Sequence, residues 1–311
     1  MPLPLLLAGP TAVGKSEVAL LLAERLGAEI ISVDSMPVYR GLDIGTAKPG
    51  PEERRRIPHH LLDVADLSES FDAARFVSLA QAARADIEAR GRRAIFCGGT
   101  GLYFKAWLEG LGEAPPADPA IRAALEQMPL PDLLAELAAC DPVTFERIDR
   151  QNPRRVIRAL EVIRVSGRPF SEQRAAWSGV AAPPGGAPLI ALGRSPEDLR
   201  ARIDTRVDRM FARGLVEETR GLLEQGLAAH RTALQAIGYR QVTEHLQGRL
   251  SLAETCALVK QKTWQYARRQ RTWLRHQLSA TWVEVTPAEE AAVTADRLAR
   301  LWDVTGAATR A

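Results

Sequence analysis

The chain has 311 residues, of which 46% are hydrophobic and 25% charged, and its formal net charge is +3. This length and composition are typical of a soluble globular protein with one large domain, or with a core domain and a smaller one. The small net charge does not by itself indicate a nucleic-acid binder, so the distribution of charge matters more than its sum.

Cysteine usage and hydropathy exclude several other classes of protein. Cys97, Cys140 and Cys256 lie far apart without any Cys-x-x-Cys, which argues against a zinc site or a disulfide framework and favours a reducing compartment. No basic residue precedes the short N-terminal apolar stretch, as a signal peptide would require, and no apolar run approaches the roughly 20 residues that span a bilayer. We therefore expect a cytoplasmic protein without a membrane segment.

The first predicted strand, residues 5–8, leads into a segment that fits the phosphate-binding loop (P-loop) pattern of Gly, four residues, Gly, Lys and Ser or Thr. The P-loop is Gly9-Pro10-Thr11-Ala12-Val13-Gly14-Lys15-Ser16. Helical spacing of apolar residues follows it as far as Gly27, so strand, loop and helix stand in the required order. Backbone N–H groups of such a loop bind an anion, Lys15 adds a cation, and the Ser16 hydroxyl is a ligand for Mg²⁺. A chance glycine-rich turn is the alternative; the flanking elements favour a site for a phosphorylated ligand.

Strands and helices alternate through the next ninety residues. The predicted elements are a strand at 29–33, a long functional loop at 36–60, a helix at about 72–90, a strand at 92–97 and a helix from Gly101 to about 108. This β-α-β-α-β order predicts an α/β fold, namely a P-loop NTPase-like parallel sheet flanked by helices.

The second half is mainly helical. Residues 112–180 carry two Asp-Pro helix starts, at Asp118 and Asp141, and predict an inserted all-helical subdomain. A Pro/Gly-rich linker at 181–188 precedes a strand at 189–192 and a helix from Ser195. A long helix then runs from the capping box Ser251-x-x-Glu254 to about 277. It is followed by a strand at 281–285 and a helix begun by Thr286-Pro287. We therefore expect a core formed by 1–112 and 189–311, interrupted by a helical insertion at 113–188.

Polar groups follow two of the predicted strands, where ligands of open α/β sheets bind. Asp34 ends the strand that follows the P-loop helix, and a carboxylate there can accept a proton or hold Mg²⁺ through water; a turn cap is the alternative. Thr100 follows two glycines after the next strand, and either faces the cleft or forms a plain hydroxyl turn. For His59 and His60 a packing or capping role is favoured over a site pair.

Cations cluster in two places. Arg154, Arg155 and Arg158 lie close together in the helical insertion, and the long C-terminal helix has a stripe formed by Lys260, Trp264, Arg268, Arg271 and Arg275. No acidic residue occurs between Thr255 and Val283, which favours a polyanionic partner, with aromatic residues that can stack on unpaired bases. The alternative is that the aromatics pack in the core and the arginines are solvated or paired. Arg202 and Arg206 either close over a phosphate or form salt bridges within their own helix.

These motifs together resemble the tRNA dimethylallyltransferase family, also called tRNA isopentenyltransferases. The matching segments, in family order, are the P-loop, Ile31-Ser32-Val33-Asp34-Ser35, Asp43-Ile44-Gly45-Thr46-Ala47-Lys48-Pro49, Gly98-Gly99-Thr100-Gly101-Leu102-Tyr103-Phe104, Asn152-Pro153-Arg154-Arg155, Arg158-Ala159-Leu160-Glu161, Gly238-Tyr239-Arg240-Gln241 and Arg268-Arg269-Gln270-Arg271-Thr272-Trp273-Leu274-Arg275. Met36-Pro37-Val38 and Trp264-Gln265-Tyr266 depart from the family pattern, and the absence of a Cys/His zinc finger is typical of a bacterial-type member.

The resemblance implies transfer of a dimethylallyl group from dimethylallyl diphosphate to N6 of the adenosine 3′ to the anticodon in tRNA. It implies Asp34 as general base, Thr100 as a substrate contact and Arg206 as a diphosphate ligand, and the P-loop pattern adds Mg²⁺ bound at Ser16. The tRNA-binding residues that it implies are Asp34, Ser35, Met36, Pro37, Thr100, Arg122, Arg154, Arg155, Arg158, Gly238, Tyr239, Arg240, Arg268, Arg271 and Arg275. We expect a monomer that binds the anticodon stem-loop.

Three other functions use some of the same features. A P-loop kinase needs the loop but no acid-free aromatic and basic helix. A nucleotide-regulated RNA-binding protein needs the basic helix but no general base. A transferase that modifies free AMP needs the site but not the arginines of the helical half, which argue for a macromolecular acceptor.

Overall fold

The computed structural model describes residues 3–173, 177, 187–230 and 232–308. Most of the predicted linker at 181–188 lies outside the described residues. Two compact units are formed, one by Met1–Leu108 with Gly179–Ala311 and the other by Glu109–Ser178. We call them the core unit and the helical unit. Among the described residues no helix is both long and apolar enough to cross a membrane.

In the described part of the chain, the core unit is built on a six-stranded sheet, and every observed pairing between its strands is parallel. The strands are β1 (Leu5–Ala8), β2 (Ala28–Ser32), β3 (His59–His60), β4 (Arg93–Gly98), β5 (Leu189–Gly193) and β6 (Thr281–Glu284). Their order across the sheet is β3-β2-β4-β1-β5-β6. Because β1 is central, the P-loop that follows it lies in the middle of the carboxyl edge. The predicted α/β fold is confirmed.

Helices cover the sheet and fill the helical unit. In the core unit they are α1 (Lys15–Leu26), α2 (Pro51–Arg56), α3 (Ala73–Ala89), α4 (Gly101–Glu109), α10 (Pro196–Ala212), α11 (Leu215–Glu224), α12 (Tyr239–Leu246), α13 (Leu252–Gln277) and α14 (Ala291–Ala308). In the helical unit they are α5 (Pro119–Glu126), α6 (Leu130–Cys140), α7 (Pro142–Arg147), α8 (Pro153–Ser166) and α9 (Phe170–Gln173). Short 3₁₀ turns at Leu227–Ala229 and Ala233–Gln235 join α11 to α12.

Alternate residues of the strands enter two separate apolar layers, one on each face of the sheet. Leu6, Ile31 and Phe96 belong to one layer, and Leu5 and Ile95 belong to the other. A parallel sheet covered on both faces needs apolar side chains at successive positions, which is why β1 reads as an unbroken apolar run. Burial of the strands fixes where they end in the sheet, and it therefore also fixes the positions of the polar residues that follow them.

Two stretches differ from the sequence-based expectation. Residues 36–60, predicted to be a long loop, contain α2 and the two-residue edge strand β3. The last helix begins at Ala291 rather than after Thr286-Pro287, because Glu289 N–H closes a turn onto the Thr286 carbonyl (3.1 Å). The rings of His59 and His60 make structural hydrogen bonds, to the Ile57 carbonyl and to the Glu29 carboxylate.

Candidate active site

The P-loop forms the bend between β1 and α1, and two arginines hold the loop from outside: Arg194, which directly follows β5, and Arg202 of α10. Ala12 and Gly14 have positive φ values, 65° and 104°, which allow the tight reversal before α1 begins at Lys15. Arg194 Nε donates to the Val13 carbonyl (2.8 Å), and Arg202 Nε donates to the Ala12 carbonyl (2.9 Å). These bonds fix the backbone of the loop, which is a precondition for an anion cradle made of N–H groups.

Asp34 lies beside the P-loop lysine. Its Oδ2 is 4.0 Å from Lys15 Nζ, while its Oδ1 accepts a hydrogen bond of 2.7 Å from the Gly99 N–H. The ends of β2 and β4 and the start of α1 therefore meet at one carboxylate. One oxygen is held by the backbone and the other faces the cation that would bind a phosphate, so the carboxylate is oriented as well as charged.

Thr100 makes hydrogen bonds within the turn that follows β4, and it also lies close to Asp34. Its Oγ1 accepts the Ser35 N–H (3.1 Å), and its own N–H donates to the Val33 carbonyl (3.1 Å). These two bonds lock the segments after β2 and β4 together. Within the described part of the chain the hydroxyl proton has no acceptor, which leaves it available to a substrate.

Arg206 on α10 has no carboxylate partner among the described residues. Its Nη2 donates to the Thr46 carbonyl at 3.2 Å. Burial lowers the pKa of the Arg206 guanidinium, and the nearby negative charge of Asp34 acts in the opposite direction. The salt bridges within α10 use other residues, such as Arg200 with Asp204 at 3.6 Å. An arginine whose charge is desolvated and not matched by a direct ion pair is suited to an anionic ligand.

A carboxylate from α11 holds the loop that carries Thr46. Glu218 accepts hydrogen bonds from the N–H groups of Ile44 and Gly45 and from the hydroxyl of Tyr239 (2.7 Å). Tyr239 is fully buried, and burial beside Glu218 raises the pKa of its phenol. The Tyr239 side chain thus supports the loop under Arg206 instead of lying on the surface.

The other predicted RNA contacts of the core unit differ in exposure. Pro37 and Gly238 are buried, Ser35 and Met36 are half-buried, and Arg240 is exposed beside Glu244. On α13, Arg268 is exposed and Arg271 half-buried, and neither has an ion-pair partner among the described residues. Arg275 is exposed, lies 3.7 Å from Glu284 and stacks over Trp282.

The aromatic residues of α13 pack inward, as the alternative interpretation of this helix expected. Trp264 and Trp273 lie against the two apolar layers of the core unit, so they are not free platforms for bases. A Cβ added at Gly101 would collide with the Trp273 ring. Tyr266 is half-buried, and burial together with the Asp34 charge raises the pKa of its phenol, which locates it in electrostatic range of the candidate base.

In the helical unit, two of the four predicted RNA-binding arginines have a structural partner. Glu161 is fully buried, and its Oε2 binds Arg122 Nη2 (2.7 Å) and Arg158 Nη1 (2.9 Å). Arg154 and Arg155 are exposed at the start of α8. These two are therefore the better candidates for phosphate contacts, whereas Arg122 and Arg158 neutralise a buried carboxylate.

We expect Glu161→Ala to lower the free energy of unfolding of the helical unit by about 1–3 kcal/mol. The change leaves the Asp118 N–H without its acceptor and removes the shared partner of two guanidiniums. Urea denaturation with hydrogen exchange across 109–178 measures this. Glu146→Ala, at an exposed position of α7, is the control, and equal midpoints for both variants would contradict the structural role.

Sequence reasoning missed the contacts of Arg194 and Gln270. Arg194 is buried and bonds to Val13, Asp198 and the Thr286 carbonyl. Gln270 is also buried, on the face of α13 that carries Ala267 and Leu274. A polar residue within that apolar stripe was the available signal, since buried polar groups need specific partners.

The residues around the P-loop fit a magnesium ion that is bound mainly through its substrate. The described residues contain no cluster of three or more His, Cys, Asp or Glu side chains able to hold a metal. Mg²⁺ in P-loop sites keeps several waters and takes phosphate oxygens, with one hydroxyl from the loop. Ser16, exposed at the first turn of α1, has the right chemistry and position for that hydroxyl.

A braced P-loop, an oriented carboxylate and an arginine without an ion-pair partner among the described residues are typical of P-loop proteins that bind phosphorylated ligands. The family model described as IPP transferase matches residues 37–277. A tRNA dimethylallyltransferase of Geobacter metallireducens is 49% identical over 280 residues, covering 89% of this chain and 90% of the relative. One of Geobacillus kaustophilus is 43% identical over 297 residues, covering 94% and 93%. The chain belongs to the tRNA dimethylallyltransferase (IPP transferase) family, and the predicted enzyme class, a prenyltransferase, is confirmed.

Two solved structures extend the comparison to the whole fold. The full-length tRNA isopentenylpyrophosphate transferase of Bacillus halodurans is 36% identical, with a TM-score of 0.72 over 100% of this chain and 98% of that one. A eukaryotic dimethylallyltransferase, solved in snapshots of its action on tRNA, is 27% identical, with a TM-score of 0.78 over 96% of this chain and 78% of that one.

Proposed function

We propose that this enzyme transfers a dimethylallyl group from dimethylallyl diphosphate to N6 of the adenosine that follows the anticodon in tRNA, acting as a cytoplasmic monomer. The observation that supports it most is the position of Asp34, 4.0 Å from Lys15 and held by the Gly99 N–H. A base and a diphosphate cradle are needed side by side in this reaction, because the amine loses a proton while the diphosphate leaves.

Asp34 is proposed as the general base. The exocyclic amine of adenine is a weak nucleophile, since its lone pair is delocalised into the ring, and it must lose a proton as the new C–N bond forms. A positioned base contributes typically about 10²–10⁴-fold. The Gly99 hydrogen bond occupies one Asp34 oxygen, which leaves Oδ2 for the proton. The Thr100 hydroxyl, on the residue that directly follows Gly99, is proposed to contact the substrate.

The departing diphosphate develops negative charge on its bridging oxygen. Lys15, the P-loop N–H groups and Arg206 are proposed to bind that charge, and donors already in place cost no reorganisation at the moment of reaction. Mg²⁺, when bound through the Ser16 hydroxyl and phosphate oxygens, would supply further charge neutralisation. Arg206 is fixed by the Thr46 carbonyl, so its remaining N–H groups are oriented before the substrate enters.

The acceptor must present its base outside a helical stack, because its N6 amine has to reach the Asp34 carboxylate beside Lys15. An anticodon loop offers unpaired bases that can be flipped toward an enzyme's active site. Binding of the surrounding phosphates is proposed for Arg268 and Arg271 of α13 in the core unit, and for Arg154 and Arg155 in the helical unit.

Mass analysis of an anticodon stem-loop after incubation with dimethylallyl diphosphate tests the proposal directly. We expect one added dimethylallyl group on the adenosine 3′ to the anticodon, and no addition to a stem-loop with guanosine there. Parallel reactions contain ATP in place of the prenyl donor, or AMP in place of RNA. Phosphorylation with ATP, or prenylation of AMP but not of RNA, would contradict the proposed function.

We expect Arg271→Ala to weaken binding of the stem-loop and to flatten its salt dependence by about one phosphate contact. The reason is that Arg271 lacks a protein anion among the described residues, so its charge is available to RNA. Binding is measured by fluorescence anisotropy between about 50 and 200 mM salt. Arg213→Ala, which changes a basic residue outside α13, is the control, and an unchanged salt slope would place Arg271 off the RNA.

A further inference from the structure

One side chain of the basic helix α13 bonds to both halves of the candidate active site. The Oε1 of Gln270 accepts the Thr11 N–H of the P-loop at 2.9 Å, and its Nε2 donates to the Gly99 carbonyl at 2.9 Å. The partners lie 259 and 171 positions away in the chain. Gln270 is buried, with 7% of its surface exposed, so these bonds are protected from competing water.

The Gly99 peptide group links Gln270 to the candidate base, Asp34. Its carbonyl is held by Gln270 and its N–H is the donor that orients Asp34 Oδ1. Gly99 and the Gln270 amide approach so closely that a Cβ added at Gly99 would clash with Gln270 Nε2 and displace the amide. A continuous hydrogen-bonded path therefore runs from the P-loop through Gln270 and the Gly99 peptide to Asp34.

We propose that Gln270 is a positioning residue that sets the P-loop and the Asp34 carboxylate in one fixed arrangement. An amide is suited to this, because a single planar group supplies one acceptor and one donor. The same helix carries Arg268 and Arg271. The helix that is proposed to bind RNA therefore also holds the P-loop and the peptide that orients Asp34. The inference rests on the proposed transfer reaction and assigns this residue a part in it.

The matched variants are Gln270→Leu, Gln270→Glu and, as control, Gln261→Leu at an exposed position of the same helix. For Gln270→Leu we expect kcat/KM for dimethylallyl diphosphate to fall by about 10- to 100-fold, as expected for two lost neutral hydrogen bonds. We also expect weaker binding of inorganic diphosphate by calorimetry, because the Thr11 peptide is released. Affinity for the stem-loop should stay within about twofold. Gln261→Leu should match the wild type in all three measurements.

Gln270→Glu separates positioning from general destabilisation. The ionised carboxyl accepts from Thr11 but repels the Gly99 carbonyl, whereas the protonated carboxyl presents the same donor and acceptor as the amide. We therefore expect its rate, divided by the wild-type rate, to rise as the pH is lowered from 8 to 6. The ratio for Gln270→Leu should stay constant. Division by the wild-type rate removes the titration of the other groups facing the site.

Two outcomes would overturn the proposal. One is wild-type kcat/KM and diphosphate affinity in Gln270→Leu. The other is a pH-independent rate ratio for Gln270→Glu together with a loss of activity that follows the melting temperature of each variant. Binding of inorganic diphosphate needs no transfer, so its weakening in Gln270→Leu would support positioning of the P-loop even if the wild type did not prenylate RNA. Absence of prenyl transfer by the wild type would contradict only the proposed function.

Discussion

Asp34→Asn is expected to lower the rate of prenyl transfer by about 10²–10⁴-fold while leaving the affinity for tRNA unchanged. The asparagine carbonyl can still accept the Gly99 N–H, so the geometry of the loop is preserved. What is lost is the capacity to take a proton from the exocyclic amine. Single-turnover rates with a stem-loop substrate measure the chemical step, and anisotropy measures binding.

Asp66→Asn is the control for Asp34→Asn. Asp66 is exposed and pairs with the exposed Arg40, so its neutralisation should leave the rate unchanged. If Asp34→Asn kept more than about a tenth of the wild-type rate, the proton would have to leave by another route, since one decade lies below the usual range for a positioned base. A matching loss of tRNA affinity would instead indicate a binding role.

The sequence predicted the parts of the fold that local chemistry decides. The capping box Ser251-x-x-Glu254 starts α13 at Leu252, and the apolar runs of β1 and β5 become buried strands. Short elements escaped prediction, because α2 has no buried residue and β3 consists of two residues paired with a neighbour. Their existence depends on tertiary contacts, which local propensity cannot reveal.

The candidate site shows the same division. Lys15, Asp34 and Thr100 follow strands in sequence, and the carboxyl edge of a parallel sheet brings them together. Gln270 and Arg194 reach this edge from α13 and from the end of β5, so their roles depend on how distant elements dock. Arg122 and Arg158 illustrate the converse: the resemblance implies RNA contacts for both, and the structure adds that the buried Glu161 binds both, which no local pattern indicates. The sequence shows which residues are charged, but which of them form ion pairs depends on how the helices pack.

Arg206→Gln is expected to reduce kcat by about 10²–10³-fold, the usual cost of removing one donor from a site of developing negative charge. The wild-type guanidinium is desolvated and held by the Thr46 carbonyl, without a carboxylate ion pair among the described residues. Its charge is therefore available to the leaving diphosphate. Arg206→Lys should recover part of the rate, because it restores the charge but not the planar pair of donors.

The readout that distinguishes a leaving-group role from a role in folding is inhibition by inorganic diphosphate. Arg206→Gln should weaken that inhibition while the affinity for the stem-loop stays at the wild-type value. Arg209→Gln, at an exposed position one turn further along α10, is the matched control and should change neither. If diphosphate inhibited Arg206→Gln as strongly as the wild type, Arg206 would not bind the leaving group. The developing charge would then be carried by Lys15 and the P-loop N–H groups, whose backbone Arg194, Arg202 and Gln270 hold in place.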